Sequence, residues 1–134
     1  MTLDDGLLTL NTKDESEARR RQTLFSETTD PSTLPSPIRR FFDSRNVLFN
    51  ALGQGEFEPR VGSFDTNRGD RFLLLSDGVS DNLTDTEIAS ILKDHINPDE
   101  AADTLVSAAK TRSKEKRPRS KPDDMTALVV EIPV

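Results

Sequence analysis

The chain predicts a domain of mixed strands and helices, on three observations. An apolar run at Phe72–Ser76 follows turn chemistry, two capped helical segments come after it, and a second apolar run at Met125–Ile132 closes the sequence. The order strand, two helices, loop, strand suits an α+β sandwich with a helical pair between the last two strands. It suits an α/β crossover equally. At 134 residues the chain has the size of one domain with a single core. Only 33% of residues are hydrophobic and 31% are charged, so that core must be concentrated in a few segments.

Thr2 to Thr12 reads as a short hairpin at a sheet edge, with Asp5-Gly6 as its turn and Leu7, Leu8 and Leu10 as its apolar content. Asp14 to Phe25, rich in Glu, Arg and Ala, reads as a helix whose thin apolar face relies on tertiary packing. Three prolines break any period between Ser26 and Pro37, which reads as a loop. Pro37 to Leu52 spaces Ile38, Phe41, Phe42, Val47, Leu48 and Ala51 for short helical turns, and Glu56 to Asp65 alternates loosely as a strand. Asn67-Arg68-Gly69-Asp70 is turn chemistry, with Gly69 free to take positive φ. Phe72 to Ser76 is the clearest buried strand.

Thr84-Asp85-Thr86-Glu87 is a capping box, because the Thr84 hydroxyl can accept from the Glu87 amide while the Glu87 carboxylate returns to the Thr84 amide. Ile88, Ile91 and Leu92 follow at helical spacing. A second box begins at Asn97, with Pro98 at the first helical position and Glu100 at the third. Ala101, Leu105, Ala108 and Ala109 then share a face, so this helix runs to about Thr111. Lys110 to Lys121 is basic and aperiodic. It reads as a solvated loop with some capacity to attract an acidic or phosphorylated partner.

Composition excludes several function classes. A net charge of -6, no Trp and no Tyr argue against nucleic-acid binding, since phosphates would be repelled and stacking platforms are few. The absence of cysteine and a lone His95 exclude disulfides, thiolate metal sites and multi-histidine zinc. His95 itself falls near a helix end, where a protonated imidazole would complement the dipole. The first residues lack the basic and apolar regions of a leader, and no apolar run approaches the ~20 residues of a membrane helix. A cytoplasmic protein without membrane partners is the expectation.

The residues that carry chemistry are aspartates at strand ends. Asp77 follows the apolar run, Gly78 permits a sharp exit from the strand, and Asp81 lies four residues on. Asp123 and Asp124 precede the final strand. Each motif alone is also explained as a turn, a local cap or a solvated acid pair. If the two strands are neighbours, the carboxylates converge at one sheet end, where their repulsion calls for a cation. Oxygen-only ligation favours Mg²⁺ or Mn²⁺, with Ca²⁺ also compatible. Two such ions could bridge a water, lower its pKa and steady charge on a phosphoryl oxygen.

The segment Asp70-Arg-Phe-Leu-Leu-Leu-Ser-Asp77-Gly78-Val-Ser-Asp81-Asn82-Leu-Thr-Asp-Thr-Glu-Ile88 resembles the Asp-Gly motif of PPM-type (protein phosphatase 2C-like) serine/threonine phosphatases. Lys121-Pro-Asp123-Asp124-Met-Thr126 is similar to that family's closing motif, and Asn46-Val-Leu-Phe-Asn-Ala51-Leu52-Gly53 to the segment before them. Asp5-Gly6-Leu-Leu-Thr-Leu10 matches the preceding hairpin weakly. The resemblance implies two antiparallel sheets flanked by helices around a centre of two Mg²⁺ or Mn²⁺ ions that hydrolyses phosphoserine or phosphothreonine in protein substrates. It implies Asp77 and Asp123 as metal ligands and Asp81 beside an additional metal, with Gly78 and Asp124 supporting them from behind. No catalytic residue beyond the metal ligands is implied.

It also implies that the chain is the C-terminal portion of such a domain, with 1–45 as hairpin, helix and Pro/Ser-rich loop and 46–134 as the core bearing both Asp motifs. The family's first half, with an Asp-Gly-His-type motif whose Asp bridges the metals and an Arg for the phosphate, has no counterpart here. Its ligands would come from that half or from another chain. A phosphatase-like interaction or regulatory module without turnover is the alternative expectation.

Overall fold

The computed structural model describes residues 1–4, 7–12, 35–36, 51–53, 55–115 and 120–134. Two units divide the chain, one formed by Met1–Thr12 with Asp65–Val134 and the other by Lys13–Phe64. The expected turn at Asp5-Gly6, the helix at Asp14–Phe25 and most of 26–50 lie outside the described residues. In the second unit, 55–64 forms no strand or helix and its side chains are exposed. This corrects the strand expected at Glu56–Asp65. Pro59 removes a ladder donor, and a segment exposed on both alternating sides has no buried face to hold a register.

In the first unit the described strands are β1 (Thr2–Asp4), β2 (Leu7–Thr9), β3 (Arg71–Leu75) and β4 (Ala127–Glu131). They form one antiparallel sheet in the order β2-β1-β3-β4. The expected hairpin is present as β1 and β2, with Leu3 opposite Leu8. β3 and β4 pair along their whole length, from Arg71 opposite Glu131 to Leu75 opposite Ala127. Met1 extends the β1–β3 ladder by exchanging 2.9 Å backbone bonds with Leu73. The 67–70 turn brings the chain into β3: Gly69 takes φ +87°, and the Asp70 carboxylate accepts from the Asn67 amide at 2.7 Å.

Three helices among the described residues connect β3 to β4: α1 (Asp77–Ser80), α2 (Asp85–Asp94) and α3 (Pro98–Arg112). The sequence predicts two; α1 is a single turn, too short to leave a periodic signal. The Thr84 box forms as expected, with the Glu87 amide donating to the hydroxyl at 3.2 Å and the Thr84 amide to the carboxylate at 2.9 Å. At Asn97 the cap is one-sided. Its side-chain oxygen accepts from the Asp99 and Glu100 amides, and among the described residues no bond returns from Glu100. Arg112 belongs to α3 and pairs with Glu87 and Glu115, so the basic segment is not wholly a solvated loop. Residues 116–119 lie outside the described residues.

The core lies between one sheet face and the helices. Leu3, Leu73 and Val129 supply the sheet side, Val79, Leu83, Ile88 and Leu92 the α1–α2 side, and Ala101, Leu105 and Ala109 one stripe of α3. The small Ala101 and Ala109, flanking Leu105 at fourfold spacing, let α3 approach closely. Arg71 is on the same face and buried, its guanidinium donating to the carbonyls of Leu92, His95 and Ile96 and to Glu131 Oε2. His95 is the residue after α2, as expected, but the cation that satisfies that helix end is Arg71. On the opposite sheet face Leu74 opposes Leu128, the two exposed by 60% and 53%, and Val130 beside them is also exposed. No helix among the described residues is long and apolar enough to cross a membrane.

Candidate metal centre

The site begins where the β3–β4 ladder runs one pair beyond the strands. The Ser76 amide donates to the Thr126 carbonyl at 3.0 Å, and the Thr126 amide donates to Ser76 Oγ at 3.0 Å. Ser76 Oγ in turn donates to the Asp124 carbonyl at 3.2 Å. Ser76 then ends the strand as the N-cap of α1, which starts with Asp77. The two aspartate motifs, far apart in sequence, are therefore laid side by side by strand register.

Gly78 determines how closely they approach. Its backbone is helical and its φ is not positive, which corrects the expectation of a sharp exit requiring glycine's conformational freedom. What requires glycine is space: a Cβ there would overlap the Asp124 carbonyl oxygen and stand 3.2 Å from the Asp123 Cβ. The backbone of the second motif lies directly on the first turn of α1.

Asn82, which is buried, holds the segment from the other side. Its Nδ2 donates to the Gly78 carbonyl and to the Lys121 carbonyl, both at 2.8 Å, and its Oδ1 accepts from the Lys121 amide at 2.9 Å. The amide thus clasps the main chain of Lys121 as a neighbouring strand would. Lys121 is sent by this clasp across the motif ends. Its Nζ stands 2.9 Å from Asp123 Oδ2, 3.4 Å from Asp81 Oδ2 and 3.7 Å from Asp77 Oδ2.

The structure therefore gathers Asp77, Asp81 and Asp123 around one positive centre. Asp77 is the most exposed of the three, at 70%, and Asp81 the least, at 28%. Asp124 differs from them: its amide donates to Asp123 Oδ1 at 2.9 Å and its carbonyl takes the Ser76 hydroxyl, so its contribution here is made by the backbone. The hydrogen bond to Asp123 raises the Lys121 ammonium above its ordinary pKa; partial burial opposes this, and the charges of Asp81 and Asp77 reinforce it. The Asp123 carboxyl is lowered, first by the bond from Lys121 and then by the Asp124 amide.

The donors are hard oxygens around one cationic position, which suits Mg²⁺ or Mn²⁺ in kind. In number they fall short. Among the described residues no group of three or more His, Cys, Asp or Glu side chains is set to hold a metal ion. Sequence reasoning missed Lys121, Asn82 and Ser76 as parts of the site. Asn82 lies within the first motif and Lys121 opens the second, but their roles depend on the two motifs meeting.

The chain is similar to proteins of known family and fold. The family described as Stage II sporulation protein E (SpoIIE) matches residues 38–133. The serine/threonine protein phosphatase PstP of Mycobacterium tuberculosis is 34% identical over 91 residues, covering 68% of this chain and 16% of that protein. A crystal structure of the M. tuberculosis phosphatase PstP/Ppp superposes with a TM-score of 0.74 at 27% identity, covering 99% of this chain and 50% of that one. The PstP catalytic domain in complex with two manganese ions gives a TM-score of 0.72 at 27% identity, over 99% of this chain and 49% of that one.

Proposed function

The chain belongs to the Stage II sporulation protein E (SpoIIE) family, with the α+β fold of PPM-type phosphatases, and on that premise we propose that it is the C-terminal portion of a metal-dependent serine/threonine phosphatase domain acting on phosphoproteins. The observation that carries the proposal is the meeting of both Asp motifs at one end of the β3–β4 pair, around a single cationic position. Asp77 and Asp123 are the ligands in this reading, and Asp81 borders a further ion. Gly78 and the Asp124 backbone set the spacing between them. A bound Mg²⁺ or Mn²⁺ supplies Lewis-acid stabilisation of phosphoryl oxygens and activates water at neutral pH. The aspartates' own task is to hold charge in a fixed place, which strand-end positions do better than free loops.

The chain spans 16% of the curated relative and 50% of the solved structure it matches. The remaining ligands in this proposal come from the other half of the domain or from another chain. The exposed Leu74, Leu128 and Val130 support that reading, because an apolar sheet face is the surface on which a second sheet packs in a sandwich. Manganese-dependent hydrolysis of a phosphothreonine peptide by the protein containing this chain tests it. Asp77→Asn and Asp123→Asn are each expected to lower turnover by about 100-fold or more. Metal-independent turnover that survives in both variants would remove the proposal.

One observation favours a second reading, an interaction or regulatory module without turnover: Lys121 already forms an ion pair with each of the three carboxylates. In that case calorimetry shows no Mn²⁺ binding that depends on Asp77.

A further inference from the structure

Three carboxylates brought together at a sheet end repel one another unless a positive charge lies among them. In this chain that charge is built in. The Lys121 ammonium reaches Asp77, Asp81 and Asp123, so it pairs with one acid at the start of α1, one just beyond α1 and one from the closing motif. Its side chain is largely covered, at 21% exposure, unlike the solvated lysine expected of a basic loop. The buried Asn82 side chain makes three hydrogen bonds, donating to the Gly78 and Lys121 carbonyls at 2.8 Å each and accepting from the Lys121 amide at 2.9 Å. Two of these go directly to the Lys121 backbone, so the ammonium starts from a held position.

We propose that Lys121 is an internal counter-cation of the aspartate cluster, competing with a divalent ion for the same carboxylates, so that ion binding requires the ammonium to leave. The inference rests on the metal-site reading above. An ammonium within 4 Å of three carboxylates lies where their attractions for a positive charge add, and a hard cation is drawn to the same carboxylates. The flexible four-carbon stem allows the exchange: Lys121 can swing to solvent while Asn82 keeps its backbone in place. The device keeps the metal-free cluster assembled, and it raises the ion concentration at which the site fills.

Calorimetric titration with Mn²⁺ of the protein containing this chain, the other half of the domain included, tests this, alongside Lys121→Met, Lys121→Arg and Asp77→Asn, with thermal melting in EDTA. Lys121→Met is expected to bind Mn²⁺ about tenfold more tightly than the parent and to melt lower in EDTA, while Lys121→Arg binds no more tightly than the parent. Binding by Lys121→Met alone, with none in the parent, supports the inference equally. Equal or weaker affinity in Lys121→Met, with binding still lost in Asp77→Asn, overturns the inference and leaves the metal reading standing. No binding by either the parent or Lys121→Met overturns both. Lys121→Gln gives the same readout where circular dichroism shows that the Met variant is unfolded.

Discussion

At Gly78 the identity of one residue is set by a neighbour more than 40 positions away. In an ordinary helical turn Gly→Ala stabilises by up to about 1 kcal/mol, because it reduces the freedom of the unfolded chain. Here the added Cβ meets backbone at Asp124, which cannot rotate aside. Gly78→Ala is therefore expected to destabilise by about 1–3 kcal/mol, seen as a lower urea midpoint with an unchanged slope. Arg71 makes the same point in the core. Replacing it with Met leaves the carbonyls of Leu92, His95 and Ile96 without their donor, while Glu131, 35% exposed, can return to water. A loss of about 2–4 kcal/mol in urea unfolding is expected. Sequence reasoning saw a glycine after an aspartate and an arginine before a strand. Neither pattern contains the atoms that explain it.

Helix ends were the most legible elements, because a cap and its amides lie within three residues of one another. Thr84 and Asn97 both act where the sequence places them. What local pattern did not reveal is that the Thr84 box is tied to α3: Glu87 also accepts from Arg112, at the far end of that helix. Partial burial would raise the Glu87 carboxyl, but the Thr84 amide and the Arg112 guanidinium outweigh it and hold the pKa below the usual 4.5. A carboxyl depressed in the folded state contributes stability that is present above its unfolded pKa and lost as pH falls through the folded one. Glu87→Gln is thus expected to cost about 1 kcal/mol or less near pH 7, solvent screening limiting the value, and to cost progressively less below about pH 4.5. Paired melts of the two proteins at pH 7 and pH 3 check the sign. Thr84→Ala, by contrast, is expected to cost about 1 kcal/mol through loss of the cap alone.

Across the described sheet, the two faces have different fates although both are apolar. Leu73 and Val129 enter the core, whereas Leu74, Leu128 and Val130 on the other face do not. Leu105→Ala, at a fully buried position on α3, is expected to cost about 2–5 kcal/mol in urea unfolding. Leu74→Lys is expected to change the stability of the same chain by no more than about 0.5 kcal/mol, because it buries nothing there. A large loss in the second case would mean that the face is covered within the chain itself. The sequence alone determined the strands β3 and β4, the caps of two helices, the turn before β3 and the acids of both motifs. All of these depend on residues a few positions apart, where hydrophobic period and capping chemistry act. Only the tertiary structure decided that Ser76 pairs with Thr126, that Asp77, Asp81 and Asp123 share one lysine, and that Leu74 and Leu128 lie exposed on one sheet face. The first two outcomes join segments about 40 to 50 residues apart through strand register, and register is a property of the assembled sheet that no local run of residues carries.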